Sequence, residues 1–334
     1  GTDWYIDQMR WKQYESDPVP FSIERRQYLY GTNDYVQVYD RFNGKPILLK
    51  QAIDIFRNPK ITVALSDGQQ HNYIAAHKLL LPVNKENIRK YHIVADSDTS
   101  KVLDTIELVI PEGKSSLSKT ELMILDMLAN YQWDRPIYVL QRGGDINIGI
   151  KQFLQFDGFV YKFVPIKSST GTTSNKVEQM DAEGLYNRIM NVYKWEPFAD
   201  TTICVDYQNL LTFNSLISIR DIMVQNAKYL LAQGKKEKAV AVLDKMQKAF
   251  PAKNFPLNNS IISMINDRAV MDAISVYLAA GERAKADKLA NAMIAETEKA
   301  IILFSKIHNK ALMSGDYLEQ QLSYVLIISS IYKD

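Results

Sequence analysis

Residues 117–166 read LSKTELMILDMLANYQWDRPIYVLQRGGDINIGIKQFLQFDGFVYKFVPI. Within this stretch Ser118 precedes Glu121 by three residues, the spacing of a capping box, in which each side chain accepts a hydrogen bond from the backbone N–H of the other residue. Apolar residues then recur at helical spacing from residue 122 to residue 129. We therefore predict a capped helix that ends at residues 130–134.

The remainder of this stretch favours strands. Arg135 precedes Pro136, and a residue before proline avoids the helical conformation, so the helix does not continue. β-branched and aromatic residues are frequent after Pro136. The predicted order is a strand at 137–140, a turn at Gly143-Gly144-Asp145, a short helix at 148–154 and a strand at 159–166. This alternation indicates α/β layering.

The region before residue 117 mixes short strands with short helices. The predicted strands are 35–39, 61–65, 77–83 and 102–110, and the predicted helices are 48–56 and 84–90. The polar run SSTGTTSN at 168–175 reads as a loop, and a helix is predicted at 181–195. The first part of the chain is therefore predicted to be an α+β or α/β domain, whose strand order the sequence does not give.

The last part of the chain reads as all-α. Predicted helices at 210–231 and 237–250 flank a turn at Gly234, and small residues stand where the two helices would cross. This spacing resembles a tetratricopeptide repeat. A second copy follows with Gly281 in the place of Gly234.

We predict two such helical hairpins and a closing helix at 317–331. A free solenoid needs about three repeats, so an unrelated helical bundle is the alternative. The change from mixed to helical sequence places a domain boundary at 197–206.

Three motifs carry a family resemblance: LMILD at 122–126, NxQWxRPIY at 130–138 and GFxYxFVPI at 158–166. They resemble the soluble C-terminal region of a family of large bacterial membrane proteins of largely unknown function. The membrane half of that family is similar to protein O-mannosyltransferases and related lipid-phosphosugar-dependent glycosyltransferases. The segment DWYIDQM through DPVP, at 3–20, resembles the piece that follows the membrane half.

The resemblance implies a lead-in segment at 1–20. The change from mixed to helical sequence divides the rest into an α/β domain at 21–200 and a helical domain at 201–334. The resemblance also implies a membrane-anchored parent protein whose membrane domain is a partner of this region, and a periplasmic location. The family's catalytic carboxylate lies in a loop of the membrane half, so no catalytic residue is carried over. The chain begins with Gly1, and we expect it to be an excised part of a longer protein.

Composition excludes several classes of function. The formal net charge is +2, so no strong field favours nucleic acid. A single cysteine, Cys204, rules out an internal disulfide, and it reads as a buried thiol. No run reaches the roughly 18 apolar residues of a membrane span.

The sequence offers little catalytic chemistry. Its four histidines, His71, His77, His92 and His308, do not pair at metal-ligand spacing. Asp96 and Asp98 form the one DxD motif, which could hold a divalent metal against a sugar diphosphate. The motif lies in a polar turn, so a solvated connection is the favoured interpretation. We expect neither a cofactor nor a bound metal.

The sequence leaves three hypotheses about function. The first is a non-catalytic extracytoplasmic domain that binds an acceptor protein, a glycan or a partner protein. The second is an envelope-assembly scaffold that interacts with proteins through the helical repeats. The third is a metal-dependent glycosyltransferase that uses Asp96 and Asp98. The chain has 19 tyrosines, and exposed ones could stack on sugars, but the sequence does not identify which are exposed.

Overall fold

A computed structural model describes residues 20–64, 68–140, 146–168, 180–202, 214–258, 264–306 and 317–333. The chain divides into two compact units, Gly1–Gln179 and Met180–Asp334. The first unit mixes short strands with helices and the second is helical. This arrangement confirms the predicted fold class. The predicted lead-in at 1–20 lies, except for Pro20, outside the described residues.

The first unit contains the following elements in its described ranges. The strands are β1 (Tyr35–Val38), β2 (Ile47–Leu48), β3 (Val63–Ala64), β4 (Gln70–His71), β5 (Tyr73–Ile74), β6 (Lys78–Pro82), β7 (Thr105–Val109), β8 (Ser116–Ser118), β9 (Tyr138–Val139), β10 (Leu154–Phe156) and β11 (Tyr161–Phe163). The α-helices are α1 (Leu49–Arg57), α2 (Lys85–Lys90) and α3 (Lys119–Ala129). Three 3-10 turns, Arg25–Tyr28, Asp96–Lys101 and Lys151–Phe153, connect them.

Helix α3 begins as the sequence predicts. The Ser118 hydroxyl accepts a hydrogen bond from the Glu121 N–H, and Glu121 Oε2 accepts one from the Ser118 N–H at 3.0 Å. Together these bonds satisfy two backbone donors that the first turn would otherwise leave without partners. The helix buries Leu122, Leu125 and Leu128 in the core of the first unit.

The strands form small mixed sheets. β1 lies between β5, which is parallel to it, and β8, which is antiparallel. β6 lies between β2 and β7, again with one parallel and one antiparallel neighbour. β10, β11 and β9 form an antiparallel sheet, and β3 pairs with β4. A single apolar core that includes Phe56, Trp133 and Phe163 joins these layers.

The structure corrects one predicted element and shortens others. The short helix predicted at 148–154 is a 3-10 turn that leads into β10, because the backbone of residues 154–156 pairs with β11 from Leu154 to Phe156. Within the described residues, the strand predicted at 61–65 covers Val63–Ala64, and the strand predicted at 159–166 covers Tyr161–Phe163. The Gly143-Gly144-Asp145 turn lies outside the described residues.

The second unit consists of helices. In its described ranges these are α4 (Ala182–Asn187), a π-helical turn at Arg188–Val192, α5 (Glu196–Ala199), α6 (Asn214–Ala232), α7 (Lys236–Ala249), α8 (Met264–Ala280), α9 (Arg283–Ser305) and α10 (Tyr317–Ile331). Gly234 and Gly281, at the turns of the two hairpins, have φ angles of 76° and 90°, which favour glycine. Ala239 and Ala286, predicted at close helix crossings, are completely buried.

The division between the units falls before the boundary region that the sequence suggested at 197–206. The side-chain amide of Asn226 donates to the Ala182 carbonyl at 2.9 Å, and Glu183 pairs with Lys235 and Lys238. These contacts attach α4 to α6 and α7, so residues from Met180 onward belong with the helices. Among the helices of the described ranges, none combines the length and the apolar composition needed to cross a bilayer.

Candidate functional site

Asp96 and Asp98 lie in the 3-10 turn Asp96–Lys101. Asp98 Oδ1 is 2.6 Å from Lys101 Nζ, and the Asp96 side chain is 92% exposed with His92 Nδ1 at 3.9 Å. In the part of the chain that the structure describes, no group of three or more His, Cys, Asp or Glu side chains is placed to hold a metal ion. The structure therefore adds no further metal ligand to this motif.

The remaining histidines and the cysteine either belong to paired strands and their ends or lie outside the described residues. His77 Nδ1 is 3.2 Å from the Ile110 carbonyl oxygen, at the edge where β6 pairs with β7. His71 lies in β4 and pairs with Val63 of β3. Cys204 and His308 lie outside the described residues.

Asp126, on helix α3, is a completely buried carboxylate that binds a distant segment of the chain through hydrogen bonds. It accepts hydrogen bonds from the Ser22 N–H (3.0 Å) and hydroxyl (2.6 Å), the Ile23 N–H (2.9 Å), the Tyr28 hydroxyl (2.8 Å) and the Asn130 side-chain amide (3.1 Å). Two carboxylate oxygens offer about four acceptor positions, so these donors saturate the group. Asp126 thus attaches residues 22–28 to helix α3.

Glu121 performs a similar task at the start of α3. It is buried and accepts from Lys114 Nζ at 2.7 Å, from the Asn147 N–H at 2.8 Å and from the Ser118 N–H at 3.0 Å. Burial by itself raises the pKa of this carboxyl, but the hydrogen bonds from Lys114, Asn147 and Ser118 outweigh burial and hold the pKa below its usual value. The carboxylate is therefore ionised at neutral pH and bridges three segments of the chain.

A polar cleft of about 1060 Å³ lies beside β7. Lys114, Lys151, Lys167 and Glu107 contribute charged side chains to its lining. Gly149, with a φ angle of 82°, brings one wall of the cleft directly onto the backbone of β7. Side chains of both signs line this cleft, and Lys114 is already bonded to Glu121, so the cleft does not select one class of ligand.

The outer side of strand β1 presents aromatic rings to solvent. Tyr35 is 77% exposed and Tyr39, the residue after β1, is 49% exposed, whereas Val36 between them is 1% exposed. Gln37 points to the same side as the two tyrosines because side chains alternate along a strand. Ser118 lies opposite Tyr35 on the neighbouring strand β8, and Ser116 lies opposite Gln37.

We name this surface the tyrosine face; it consists of Tyr35, Gln37, Tyr39 and Ser116. Its centre is β1, which has hydrogen-bonded neighbours on both sides, so its backbone is fixed. The Tyr39 N–H continues the pairing by donating to the Ile74 carbonyl at 2.9 Å. The face is therefore a rigid part of a sheet and not a loop.

Two contacts orient the Tyr39 ring. Its centroid is 5.7 Å from the centroid of the buried Tyr73 ring, at an interplanar angle of 84°. The Arg41 guanidinium lies 5.1 Å from the Tyr73 centroid and 5.7 Å from the Tyr39 centroid, which is the geometry of a cation–π contact. The Tyr39 ring, which is half exposed, is thus oriented by Tyr73 and Arg41.

The chemistry of the tyrosine face matches that of a molecule with apolar faces and hydroxyl groups. Residues four apart on a strand are about 13 Å apart, so the two rings can contact different parts of one extended ligand. The Gln37 amide and the Ser116 hydroxyl lie between and beside the rings, where they can donate and accept hydrogen bonds. The Ser118 hydroxyl is already bonded to Glu121 at the start of α3. Sugar rings have this combination of C–H faces and hydroxyls, and tyrosine offers both an apolar body and a polar tip.

Nucleic acid, whose bases also stack on aromatic rings, fits this surface less well. Binding a phosphate backbone requires a row of cations. Near the tyrosine face, Lys119 is already 2.6 Å from Asp34, and Arg41 lies against two aromatic rings. The overall charge of +2 agrees with this exclusion.

Sequence reasoning identified β1 but missed the tyrosine face. The signal is the alternation in YVQVY at 35–39, where two valines separate aromatic and polar residues. Alternation predicts one buried side and one exposed side, but it does not show whether another element covers the aromatic side. The structure supplies that fact through the exposure of Tyr35 and Tyr39.

A comparison with models of protein families matches the first part of the chain. A family model described as TMEM260-associated domain 2 matches residues 1–184, which is more than half of the 334-residue chain. The matched range includes the tyrosine face, helix α3 and the three motifs on which the sequence resemblance depends. No curated protein and no solved structure matches the chain.

Proposed function

The chain belongs to the TMEM260-associated domain 2 family, and from that premise we propose that it is a non-catalytic, glycan-binding domain of a TMEM260-like membrane protein. The parent protein is membrane-anchored, and this region lies outside the cytoplasm next to its own membrane domain. In a bacterial parent that location is the periplasm. The sequence resemblance to the soluble region of proteins with an O-mannosyltransferase-like membrane half supports this assignment.

The observation that carries the glycan-binding role is the pair Tyr35 and Tyr39, exposed on one side of a fixed strand. The two rings would stack on sugar units of one glycan, and Gln37 would bond hydroxyls between them. A domain of this kind would hold a glycan or a glycosylated acceptor protein close to the membrane half, where sugar transfer takes place. The domain itself would supply no catalytic group.

Binding is tested with the whole chain on an array of defined oligosaccharides, followed by calorimetric titration of the sugars it retains. Tyr35→Ala and Tyr39→Ala should each weaken binding by about tenfold, because an aromatic contact is worth roughly 0.5–1.5 kcal/mol beyond the area it buries. Tyr138→Ala is the matched control, since Tyr138 is also 49% exposed but lies on β9 in another sheet.

The control should leave the affinity unchanged. Absence of binding to every sugar, or equal losses for Tyr39→Ala and Tyr138→Ala, would refute a glycan site on the tyrosine face.

The non-catalytic assignment has its own test. The purified chain, given a lipid-phosphosugar or a nucleotide-sugar donor with Mg²⁺ or Mn²⁺, should release no sugar. Turnover that is lost in an Asp96→Ala/Asp98→Ala variant would instead support a metal-dependent glycosyltransferase.

An envelope-assembly scaffold is the second candidate, favoured by the helical hairpins α6–α7 and α8–α9. Paired helices commonly present surfaces for protein partners. Affinity capture of the parent protein from membranes separates the two roles. Recovery of envelope-assembly proteins, unchanged when Tyr35 and Tyr39 are replaced by alanine, would favour the scaffold.

A further inference from the structure

Arg41 lies at one end of the tyrosine face, two residues after Tyr39. Its backbone N–H donates to the Ala75 carbonyl at 2.9 Å, so the pairing with the chain after β5 continues past Tyr39. Its guanidinium carbon is 5.7 Å from the centroid of the Tyr39 ring and 5.1 Å from that of the Tyr73 ring. Backbone pairing and two ring contacts together restrict the position of this cation.

The charge of Arg41 is not matched by an acidic neighbour. In the part of the chain that the structure describes, its guanidinium has no ion pair and no hydrogen-bond acceptor. Asp40 is adjacent in the chain, but its Oδ1 accepts from the Phe42 N–H at 2.8 Å and its Oδ2 accepts from the Gly44 N–H at 2.7 Å. The Asp40 carboxylate therefore belongs to the turn that follows it.

A guanidinium in this position can bind an oxyanion. Its N–H groups form a planar fork that matches the two oxygens of a carboxylate or a phosphate. Contact with aromatic rings uses the delocalised plane of the group and leaves its N–H donors for hydrogen bonds. The separation between Arg41 and the Tyr39 ring is short enough for both to contact one sugar unit and a substituent on it.

The other end of the tyrosine face has a different electrostatic character. Asp34 precedes Tyr35, and its carboxylate is 2.6 Å from Lys119 Nζ. Lys119 also donates to the Leu29 carbonyl at 2.5 Å. The acid is the more accessible member of this ion pair, because the Asp34 side chain is 47% exposed and that of Lys119 only 11%. An anionic substituent is therefore favoured at the Tyr39 end and disfavoured at the Tyr35 end.

We propose that the tyrosine face binds an acidic glycan, with a carboxylate or phosphate group on the sugar unit that stacks on Tyr39. Arg41 binds that oxyanion, and Tyr35 contacts an uncharged unit of the same glycan. Because it rests on the proposed glycan-binding function, this acidic site adds two properties to it: the charge of the ligand and its direction along β1. Nucleic acid stays excluded, since one oxyanion needs one cation and a phosphate backbone needs a row of them.

Two matched pairs of oligosaccharides test this site in calorimetric titrations of the whole chain. Tetragalacturonate is compared with its methyl ester, and maltotetraose with a 6-phosphate on its terminal unit is compared with plain maltotetraose. The charged member should bind about five- to tenfold more tightly, as expected of an exposed ion pair with good geometry. A preference in only one pair also supports the proposal and identifies the oxyanion as carboxylate or phosphate.

Arg41→Gln should abolish the preference for the charged member, and Arg89→Gln should retain it. Arg89 is the matched control because it is also exposed, lies on α2 and changes the net charge by the same amount when replaced. Arg41 also orients the Tyr39 ring, but a displaced ring would weaken the binding of charged and uncharged members alike. The difference in affinity between the two members therefore measures the ion pair alone.

Circular dichroism should show that both variants fold. Should Arg41→Gln fail to fold, the unaltered chain offers a second measurement: raising NaCl from about 0.05 M to about 0.5 M should weaken the binding of the charged members only.

Equal affinities within both pairs, or a preference that survives Arg41→Gln, overturn the acidic site and leave the glycan-binding function in place. The same holds if the array retains uncharged sugars and neither charged probe binds. Absence of binding to every sugar removes the acidic site and the glycan-binding function together.

Discussion

The hydroxyl of Tyr28 donates a 2.8 Å hydrogen bond to Asp126 Oδ2, and the two residues are 98 positions apart in the chain. Both are buried. The bond belongs to a set of five donors from residues 22, 23, 28 and 130 that surround one carboxylate. One aspartate on a helix therefore determines where the first described turn of the protein is attached.

Replacing Asp126 by alanine should destabilise the first unit by roughly 3 kcal/mol or more, because several buried donors would lose their shared acceptor together. Tyr28→Phe removes a single donor and should cost about 1–2 kcal/mol. Hydrogen exchange of the α3 amides during urea titration measures both losses. If the two variants were equally stable, the carboxylate would not be the common attachment point of residues 22–28.

The stability of the first unit should depend on pH through Glu121. The pKa of this carboxyl is lower in the folded protein than in the unfolded chain, so its ionised form favours folding. The contribution is complete above the unfolded pKa of about 4.3 and is lost as the pH falls through the folded pKa. Unfolding free energies measured from pH 6 down to pH 3 should decrease less steeply in Glu121→Gln than in the unaltered chain.

Gly149 should tolerate no side chain. Its φ angle is 82°, and a Cβ atom there would lie only 3.0 Å from the Val109 carbonyl oxygen. Backbone strain and this clash together should lower the free energy of unfolding by roughly 3 kcal/mol in Gly149→Ala. Gly113→Ala is the control, since a Cβ at position 113 has no neighbour within 4 Å. Thermal unfolding should show a reduced Tm for the first variant only.

Arg220 should be essential to the second unit. Its guanidinium is buried and donates to the backbone carbonyls of Phe250 (3.0 Å), Phe255 and Pro256 (2.8 Å). Burial lowers the pKa of Arg220 to about 10, so the group remains charged at neutral pH. Arg220→Met should cost roughly 3 kcal/mol or more, because it leaves several carbonyls in this turn without a donor.

Arg283→Met provides the comparison for Arg220→Met. The Arg283 side chain is mostly exposed and lies 3.7 Å from Asp287, so its loss should cost at most about 1 kcal/mol. Urea unfolding of both variants, followed by circular dichroism of the helices, measures the difference. Similar midpoints for the two would contradict the role assigned to the buried guanidinium.

The sequence predicted well those features that depend on neighbouring residues, such as helix caps and helix bounds. The capping box of α3 and the bounds of α10 agree with the sequence because caps and helical periodicity depend on residues within a few positions of one another. The strand order does not follow from such signals. β1 joins β5 and β8, and nothing within residues 35–38 specifies either partner. The same limit explains why the sequence places the start of β10 in a helix.

The candidate site was less predictable than the fold. Its chemistry depends on which tyrosines remain uncovered, and that depends on the packing of all other elements. Asp126 is a polar residue that is unexpectedly buried, whereas the tyrosines are aromatic residues that are unexpectedly exposed. The sequence does not indicate the burial of Asp126, because most of its hydrogen-bond donors come from residues about 100 positions away. The exposed tyrosines and the buried Asp126 can be recognised only in the structure, where distant segments of the chain are in contact.

The placement of β1 has a consequence for the order in which the protein forms. During synthesis, residues 35–38 emerge long before residues 116–118, with which they must pair. Until then the strand that carries Tyr35 and Tyr39 has an open edge and its valines have no core to enter. The helical hairpins of the second unit close between neighbours in the chain, and such local contacts form much faster. We therefore expect the first unit to be the slower one to fold and the one that depends more on protection from aggregation while the chain is incomplete.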